Sequence, residues 1–237
     1  MNELLEDVSL AKLEKKLDLV FADNQLLLSA VTHKSFPNEN QDLQLEDNER
    51  LEFLGDSVLS LSISTYLYQN LPQAPEGKLA KMRAILVSAD TLARKAREID
   101  LSEHLLLGKG EEMTGGRERD SILADTFEAL LGAIYLEHGF AVVDNFIIDF
   151  FDQDINNVKE GNYVRDFKTL LQEIVQQDSL ERPEYIVVSE VGPDHDKSFE
   201  VEVCLSQKSL GKGKGSSKKE AEQLAARQAL KNLGEIT

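Results

Sequence analysis

The run NERLEFLGDSVL at residues 48–59 sets two demands that a half-buried helix meets. Leu51, Phe53, Leu54, Val58 and Leu59 are apolar, while Glu52 and Asp56 lie four residues apart, so both carboxylates leave one helical face. Like charges at that spacing destabilise a helix modestly. Gly55, between them, costs about 1 kcal/mol against Ala in a helix interior. A segment that accepts both penalties has a compensating partner. The pattern predicts a helix from near Asn48 to about Asn70, ended by Pro72. Pro75 then suits the first turn of the next helix, with Glu76 at its positive end.

A second acidic helix is expected at ILADTFEALLGAIYLE, residues 122–137. Asp125 and Glu128 are spaced i,i+3 on one face, surrounded by Leu123, Phe127, Leu130, Leu131 and Ile134, with Gly132 one turn beyond Glu128. Two such helices packed together bring four carboxylates into one small volume. Burying that much unpaired negative charge is prohibitive. Hard divalent cations are the natural partner, and Mg²⁺ prefers oxygen ligands. No His or Cys cluster competes for a softer metal. Yet with 43 Asp and Glu in the chain, acid pairs at these spacings also arise by chance, so spacing alone leaves a solvated acidic surface open.

Outward from these two segments, residues 1–152 read as nearly all helix. Leu10, Leu13, Leu17 and Val20 form a stripe over Ser9–Val20, and Asp23 is placed to cap a helix carrying Leu26, Leu27, Ala30 and Val31. A polar loop follows Pro37. Further helices are expected over 76–87, 89–98, 120–138 and 141–152, with glycines at 108, 110, 115 and 116 marking an irregular stretch. Residues 153–165, QDINNVKEGNYVR, are polar and read as a linker. The pattern then changes to a helix at 166–177, strands at Tyr185–Ser189, Phe199–Leu205 and Ser209–Gly215, and a closing helix at Lys218–Leu233. The expected fold is an all-α domain at 1–155, a linker at 156–162, and a small α-β-β-β-α domain at 163–237.

Charge follows the same division. The chain carries a net −17, which by itself argues against nucleic acid. Residues 163–237 hold 11 Lys and Arg against 13 Asp and Glu, leaving 15 against 30 in residues 1–162, so the acidity is concentrated in the first part. A single cysteine, Cys204, excludes an internal disulfide framework. No apolar run approaches the ~18 residues of a membrane span. The acidic amphipathic start, MNELLEDVSLAKLEKK, lacks the basic and apolar regions of a secretory signal. These features point to the cytoplasm and to no membrane partner.

NERLEFLGD at 48–56 resembles the signature of the bacterial ribonuclease III family. SILADTFEALLGAIYL resembles that family's second acidic segment, and THKSF at 32–36 and PEGKLAKMRA at 75–84 are similar to further blocks of it. Residues 163–237 resemble the double-stranded-RNA-binding domain that follows the nuclease domain in bacterial members. The resemblance implies a homodimeric endonuclease of double-stranded RNA that uses Mg²⁺, with Mn²⁺ as a substitute. It implies Glu52, Asp56, Asp125 and Glu128 as the metal-binding set, with Asp56 and Glu128 catalytic within it. Glu49 and Glu76 become peripheral acids, with an exposed helix-start acid as the plain alternative. Phe53 becomes a dimer-interface residue, against ordinary core packing. Products with 5′-phosphate and 3′-hydroxyl ends and two-nucleotide 3′ overhangs, and roles in processing rRNA and mRNA precursors, follow from the same likeness. His33 reads as structural, and His104 and His138 as surface or helix-end residues.

The C-terminal domain has features suited to A-form RNA. Lys218 and Lys219 open a helix after Gly215, Ser216 and Ser217, where lysines and free backbone N–H groups bind phosphate. Lys212 and Lys214 can add contacts. The loop VGPDHDK offers His195 to a wide minor groove, and the first helix presents Thr169, Gln172, Glu173 and Gln176 as polar groups able to meet 2′-hydroxyls. Such domains span ~16 bp and read shape. Glu220 and Glu222 beside the lysines would weaken the anchor. Two other classes fit less well: a non-cleaving double-stranded-RNA-binding regulator has no use for four convergent carboxylates, and a metal-stabilised helical interaction protein does not account for the clustered lysines of the near-neutral C-terminal domain.

Overall fold

The computed structural model describes residues 10–22, 24–160, 167–178, 181–192, 197–206 and 208–235, with only the backbone of Thr169, Glu173, Gln177, Asp178 and Lys219. Contacts divide the chain into two units, Met1–Asn162 and Tyr163–Thr237.

In the first unit the helices are α1 (Leu10–Leu17), α2 (Asn24–Ala30), α3 (Ser35–Glu39), α4 (Glu49–Asn70), α5 (Glu76–Leu86), α6 (Ala89–Glu98), α7 (Lys109–Met113), α8 (Asp120–His138), α9 (Phe140–Phe150) and α10 (Asp152–Glu160). α1 stops short of the expected Val20. Asp18 takes a left-handed conformation (φ 53°), which breaks the helix and leaves Val20 exposed. The Asp23 cap lies outside the described residues. The stretch after Pro37 is not a plain loop, since α3 and a 3-10 turn at Gln41–Leu43 occupy it.

α4 and α8 make the largest helix–helix contact among the described residues, and glycine is the reason they can. A Cβ on Gly55 would stand 1.8 Å from the Glu128 carbonyl oxygen, and one on Gly132 would stand 2.4 Å from that of Leu51. The two backbones therefore touch at this crossing. The helix-propensity cost of the two glycines, about 1 kcal/mol each, is small beside the apolar side chains buried along these helices. Leu59, Ile63, Phe127, Leu130 and Leu131 are fully buried, each contributing about 1.5–3 kcal/mol.

The stretch expected as linker is in part helix. α10 buries Ile155 and Val158 three residues apart, and Asp154 is ion-paired with Lys95 of α6 at 2.9 Å. Lys95 is itself buried, donates to the Phe150 carbonyl at 2.7 Å, and lies 4.6 Å from the Phe150 ring centroid. Residues 156–160 are thus packed into the first unit. Two apolar residues in a polar run gave too little periodicity to show it.

The second unit runs α11 (Phe167–Asp178), β1 (Glu184–Val191), β2 (Ser198–Leu205), β3 (Lys208–Gly215) and α12 (Lys218–Leu233), the expected order. The sheet is antiparallel in the order β1-β2-β3, with Val201 opposite Val187 and Gly213, and Val203 opposite Tyr185 and Gly211. Phe199, Val201 and Val203 of β2 meet Leu171 and Val175 of α11 and the alanines of α12 in one core. Gly211 and Gly213 let α12 lie directly on β3, because Cβ atoms there would sit 2.5 and 2.1 Å from the backbone nitrogens of Ala229 and Ala225.

Candidate metal centre and nucleic-acid interface

The α4–α8 crossing fixes where the acids stand. At its open end Asn48, almost fully buried, gives its backbone N–H to the Thr32 carbonyl at 2.9 Å and reaches Thr126 Oγ1 of α8 at 3.5 Å. Thr126 is also buried and donates to the Ile122 carbonyl. These polar contacts lock the first turn of α4 against α8. Sequence spacing gave no sign of them, since each residue looks ordinary in its own helix.

Glu52, Asp125 and Glu128 each offer an oxygen within 4.8 Å of the other two. Asp56 does not join this group. It stands one turn further along α4, exposed, while its charge still bears on Glu128. An i,i+4 spacing gave Glu52 and Asp56 one face, but the crossing encloses only Glu52. Burial, then the charges of Asp56, Asp125 and Glu52, push the Glu128 carboxyl up to about 8. Glu52 is raised by burial, then by Asp125 and Glu49, and Asp125 is raised by burial. Half-buried carboxylates held this close repel each other, and a cation among them would relieve the repulsion. All donors are oxygen, so a hard divalent ion fits the set.

Glu49 is exposed and ion-paired with Lys34 at 2.8 Å, which holds its carboxyl below the usual range. Glu76 is exposed too, and lines a groove between α4 and α5 with Tyr68, Leu79 and Arg83. Phe53 is 78% exposed, which removes core packing as its role, and Leu61 and Tyr68 continue an exposed apolar stripe along α4. The His33 backbone N–H donates to the Leu106 carbonyl at 3.0 Å, and its Nδ1 lies 2.8 Å from Ser35 Oγ. His104 is buried, contrary to its surface reading, in the 3-10 turn Leu101–His104. His138 ends α8 edge-on to Phe21.

In the second unit Ser217 caps α12 by accepting from the Glu220 N–H at 3.2 Å. Glu220 accepts from the N–H and hydroxyl of Ser216 at 2.7 and 2.6 Å, and Glu222 pairs with Lys168 at 2.5 Å. Both acids are engaged inside the unit, one of them in shaping the helix start that presents Lys218. Lys218 is exposed, 3.9 Å from Glu190 and over the Phe199 ring. Lys212 pairs with Glu202 at 3.5 Å, Lys214 is exposed, and Gln172 and Gln176 are exposed on α11. His195 and the side chains of Thr169, Glu173 and Lys219 lie outside the described residues.

A helical unit with a carboxylate centre, followed by an α-β-β-β-α unit with a lysine-bearing helix start, defines a nuclease joined to an RNA-binding domain. Residues 23–155 match the Ribonuclease-III-like family and residues 167–233 the double-stranded RNA binding motif. The chain is 51% identical over 225 residues to Ribonuclease 3 of Caldanaerobacter subterraneus subsp. tengcongensis, covering 95% of this chain and 98% of that one. It is 48% identical to Ribonuclease 3 of Bacillus cereus over 94% of this chain and 90% of that one. A solved nuclease domain of Ribonuclease III from Campylobacter jejuni, whose region of dimer formation is described as flexible, is 41% identical with a TM-score of 0.56. It covers 60% of this chain and 95% of that one. The chain belongs to the ribonuclease III family, the double-strand-specific endoribonucleases. No helix among the described residues is long and apolar enough to cross a membrane.

Proposed function

We propose that Glu52, Asp125 and Glu128 hold Mg²⁺, or Mn²⁺ in its place, with Asp56 completing the set. The protein then hydrolyses phosphodiester bonds of duplex RNA to 5′-phosphate and 3′-hydroxyl ends with short 3′ overhangs. The carrying observation is the convergence of three carboxylate oxygens within 4.8 Å at the α4–α8 crossing. When bound, the ion stabilises charge developing on the phosphate oxygens and eases ionisation of the attacking water. The chain's own part is placement. Glu52 and Glu128 are fixed by the backbone contact at Gly55, and Asp56 and Glu128 act as the catalytic pair beside the strand. In the second unit Lys218 and Lys219 at the capped start of α12, with Lys214, grip phosphates. Thr169, Gln172, Glu173 and Gln176 meet 2′-hydroxyls, and His195 enters a minor groove.

A homodimer through α4 gives two centres related by a two-fold axis, so each cuts one strand and the products are staggered. Phe53, Leu61 and Tyr68 supply the apolar face for it. Glu49 and Glu76 are peripheral acids of the assembled site. Structured rRNA and mRNA precursors in the cytoplasm are the proposed substrates, in keeping with a chain that carries one cysteine.

Incubating the protein with a long RNA duplex, with and without Mg²⁺, tests the reading. Short duplex products are expected only with the metal, and single-stranded RNA stays intact. Binding without cleavage in Mg²⁺ would refute it. For the dimer, sedimentation of the full chain is expected to show two copies, and Phe53→Glu to shift it toward one; an unshifted variant would move the interface elsewhere.

A further inference from the structure

Lys34 has a setting that its neighbours in sequence do not explain. The segment around it is fixed from several sides. The Leu106 N–H donates to Val31 at 2.8 Å, the His33 N–H to Leu106 at 3.0 Å, and the Asn48 N–H to Thr32 at 2.9 Å. Thr32 is wholly buried, its hydroxyl on the Leu28 carbonyl, and Ser35 Oγ accepts from the Gly108 N–H at 2.9 Å. Out of this rigid turn only Lys34 projects into solvent, between half-buried His33 and Ser35.

Its ammonium donates to Glu49 Oε1 at 2.8 Å, with both side chains more than half exposed. An exposed pair of this kind contributes about 0–1 kcal/mol, so the fold does not depend on it. Glu49 lies one helical turn before Glu52, and the Lys34 charge reaches both Glu52 and Asp125. Arg119, whose charge also reaches His33, is itself paired with Glu111. A lysine on a fixed backbone, weakly held by one carboxylate beside a group of three, is arranged to exchange that carboxylate for a phosphate. Lysine binds phosphate as a point charge, which needs no paired geometry.

We propose that Lys34 is a phosphate-contacting residue of the nuclease site, its ammonium leaving Glu49 for a phosphate oxygen beside the scissile bond when RNA binds. This rests on the duplex-cleavage reading above. The competing role is purely local: Lys34 only adjusts the field felt by the cation site.

Full-length Lys34→Gln, Lys34→Arg and Glu49→Gln separate the two. Duplex affinity is measured against salt in Ca²⁺, Mn²⁺ affinity of the RNA-free protein by electron paramagnetic resonance, and single-turnover cleavage at saturating Mg²⁺. For Lys34→Gln the log–log salt slope is expected to fall by about one unit, as for one lost phosphate contact. Its saturating rate is expected to fall at least tenfold, while Mn²⁺ binds as well or more tightly because a neighbouring positive charge has gone. Lys34→Arg restores the slope, and Glu49→Gln keeps it because the ammonium remains. The proposal is overturned if Lys34→Gln retains wild-type slope and saturating rate and only its Mn²⁺ affinity moves. It is equally overturned if Glu49→Gln loses the slope as Lys34→Gln does. A wild-type protein that neither binds nor cuts duplex RNA removes the functional reading and this proposal together, whereas an unaltered Lys34→Gln beside an active wild type removes this proposal alone.

Discussion

In the first unit Gly55 and Gly132 let two helices cross at backbone distance; in the second, Gly211 and Gly213 let α12 lie on β3. The device is the same and the electrostatic result is opposite. At the crossing it forces Glu52, Asp125 and Glu128 together, with Glu128 driven to hold its proton. On β3 the glycines alternate with Lys212 and Lys214, which are left exposed. A close backbone approach is therefore neutral about charge. The side chains that flank it gather carboxylates at one contact and leave lysines exposed at the other.

Substituting the glycines is expected to have the largest effect. Gly55→Ala places a methyl group against the Glu128 carbonyl, and Gly213→Ala places one against the Ala225 backbone. Overpacking costs about 1–3 kcal/mol and sometimes more. Gly55→Ala is expected to abolish cleavage and the Mg²⁺-dependent rise in melting temperature while duplex binding persists. Gly213→Ala is expected to lose duplex binding while the Mg²⁺-dependent rise remains. Melting with and without Mg²⁺, beside a gel shift, reads both; identical behaviour of the two variants would erase the distinction.

A smaller effect is expected from the paired substitution Lys218→Ala and Lys219→Ala. Binding should weaken across all duplex sequences, with the salt slope falling by roughly one unit per lost contact. Wild-type affinity and slope would put the phosphate anchor elsewhere, at Lys214 or the β1–β2 loop.

The smallest effect is on stability against pH. Burial first, then the neighbouring carboxylates, hold the Glu128 pKa in the metal-free folded protein at about 8, above its unfolded value near 4.5. Between those values the folded state binds more protons, so stability falls as pH rises through that window. Glu128→Gln has no such proton to lose. Without metal it is expected to melt above the wild type at pH 8 by about 2 °C or more, the shift that roughly 1 kcal/mol produces at this size, and level with it at pH 4. Equal melting at both pH values would show that the carboxyl is not held as described.

Long periodic segments are legible in the sequence alone. α4, α8 and the α-β-β-β-α order lie where the apolar spacing put them. α10 is not, because Ile155 and Val158 are its buried apolar residues and its anchor, Lys95, lies in another helix. At the site, spacing correctly placed acids on shared faces, but it treated Glu52 and Asp56 alike. The crossing angle, a tertiary property, decides which of them is enclosed. The two glycines read as blemishes on acidic helices, and their purpose is visible only with the facing backbone present. Lys34 lies 15 residues before its partner Glu49 in a turn, and nothing local ties it to α4.

In the proposed mechanism Glu128 belongs to a cation site and takes no part in gripping RNA. Gel shift and cleavage of one duplex by a single preparation of Glu128→Gln test it most directly. Near-wild-type binding is expected, with a melting temperature no longer raised by Mg²⁺ and cleavage reduced by orders of magnitude, partly recovered in excess Mn²⁺. Near-normal cutting at low Mg²⁺ would contradict it, removing Glu128 from the catalytic set and with it the two-helix metal centre.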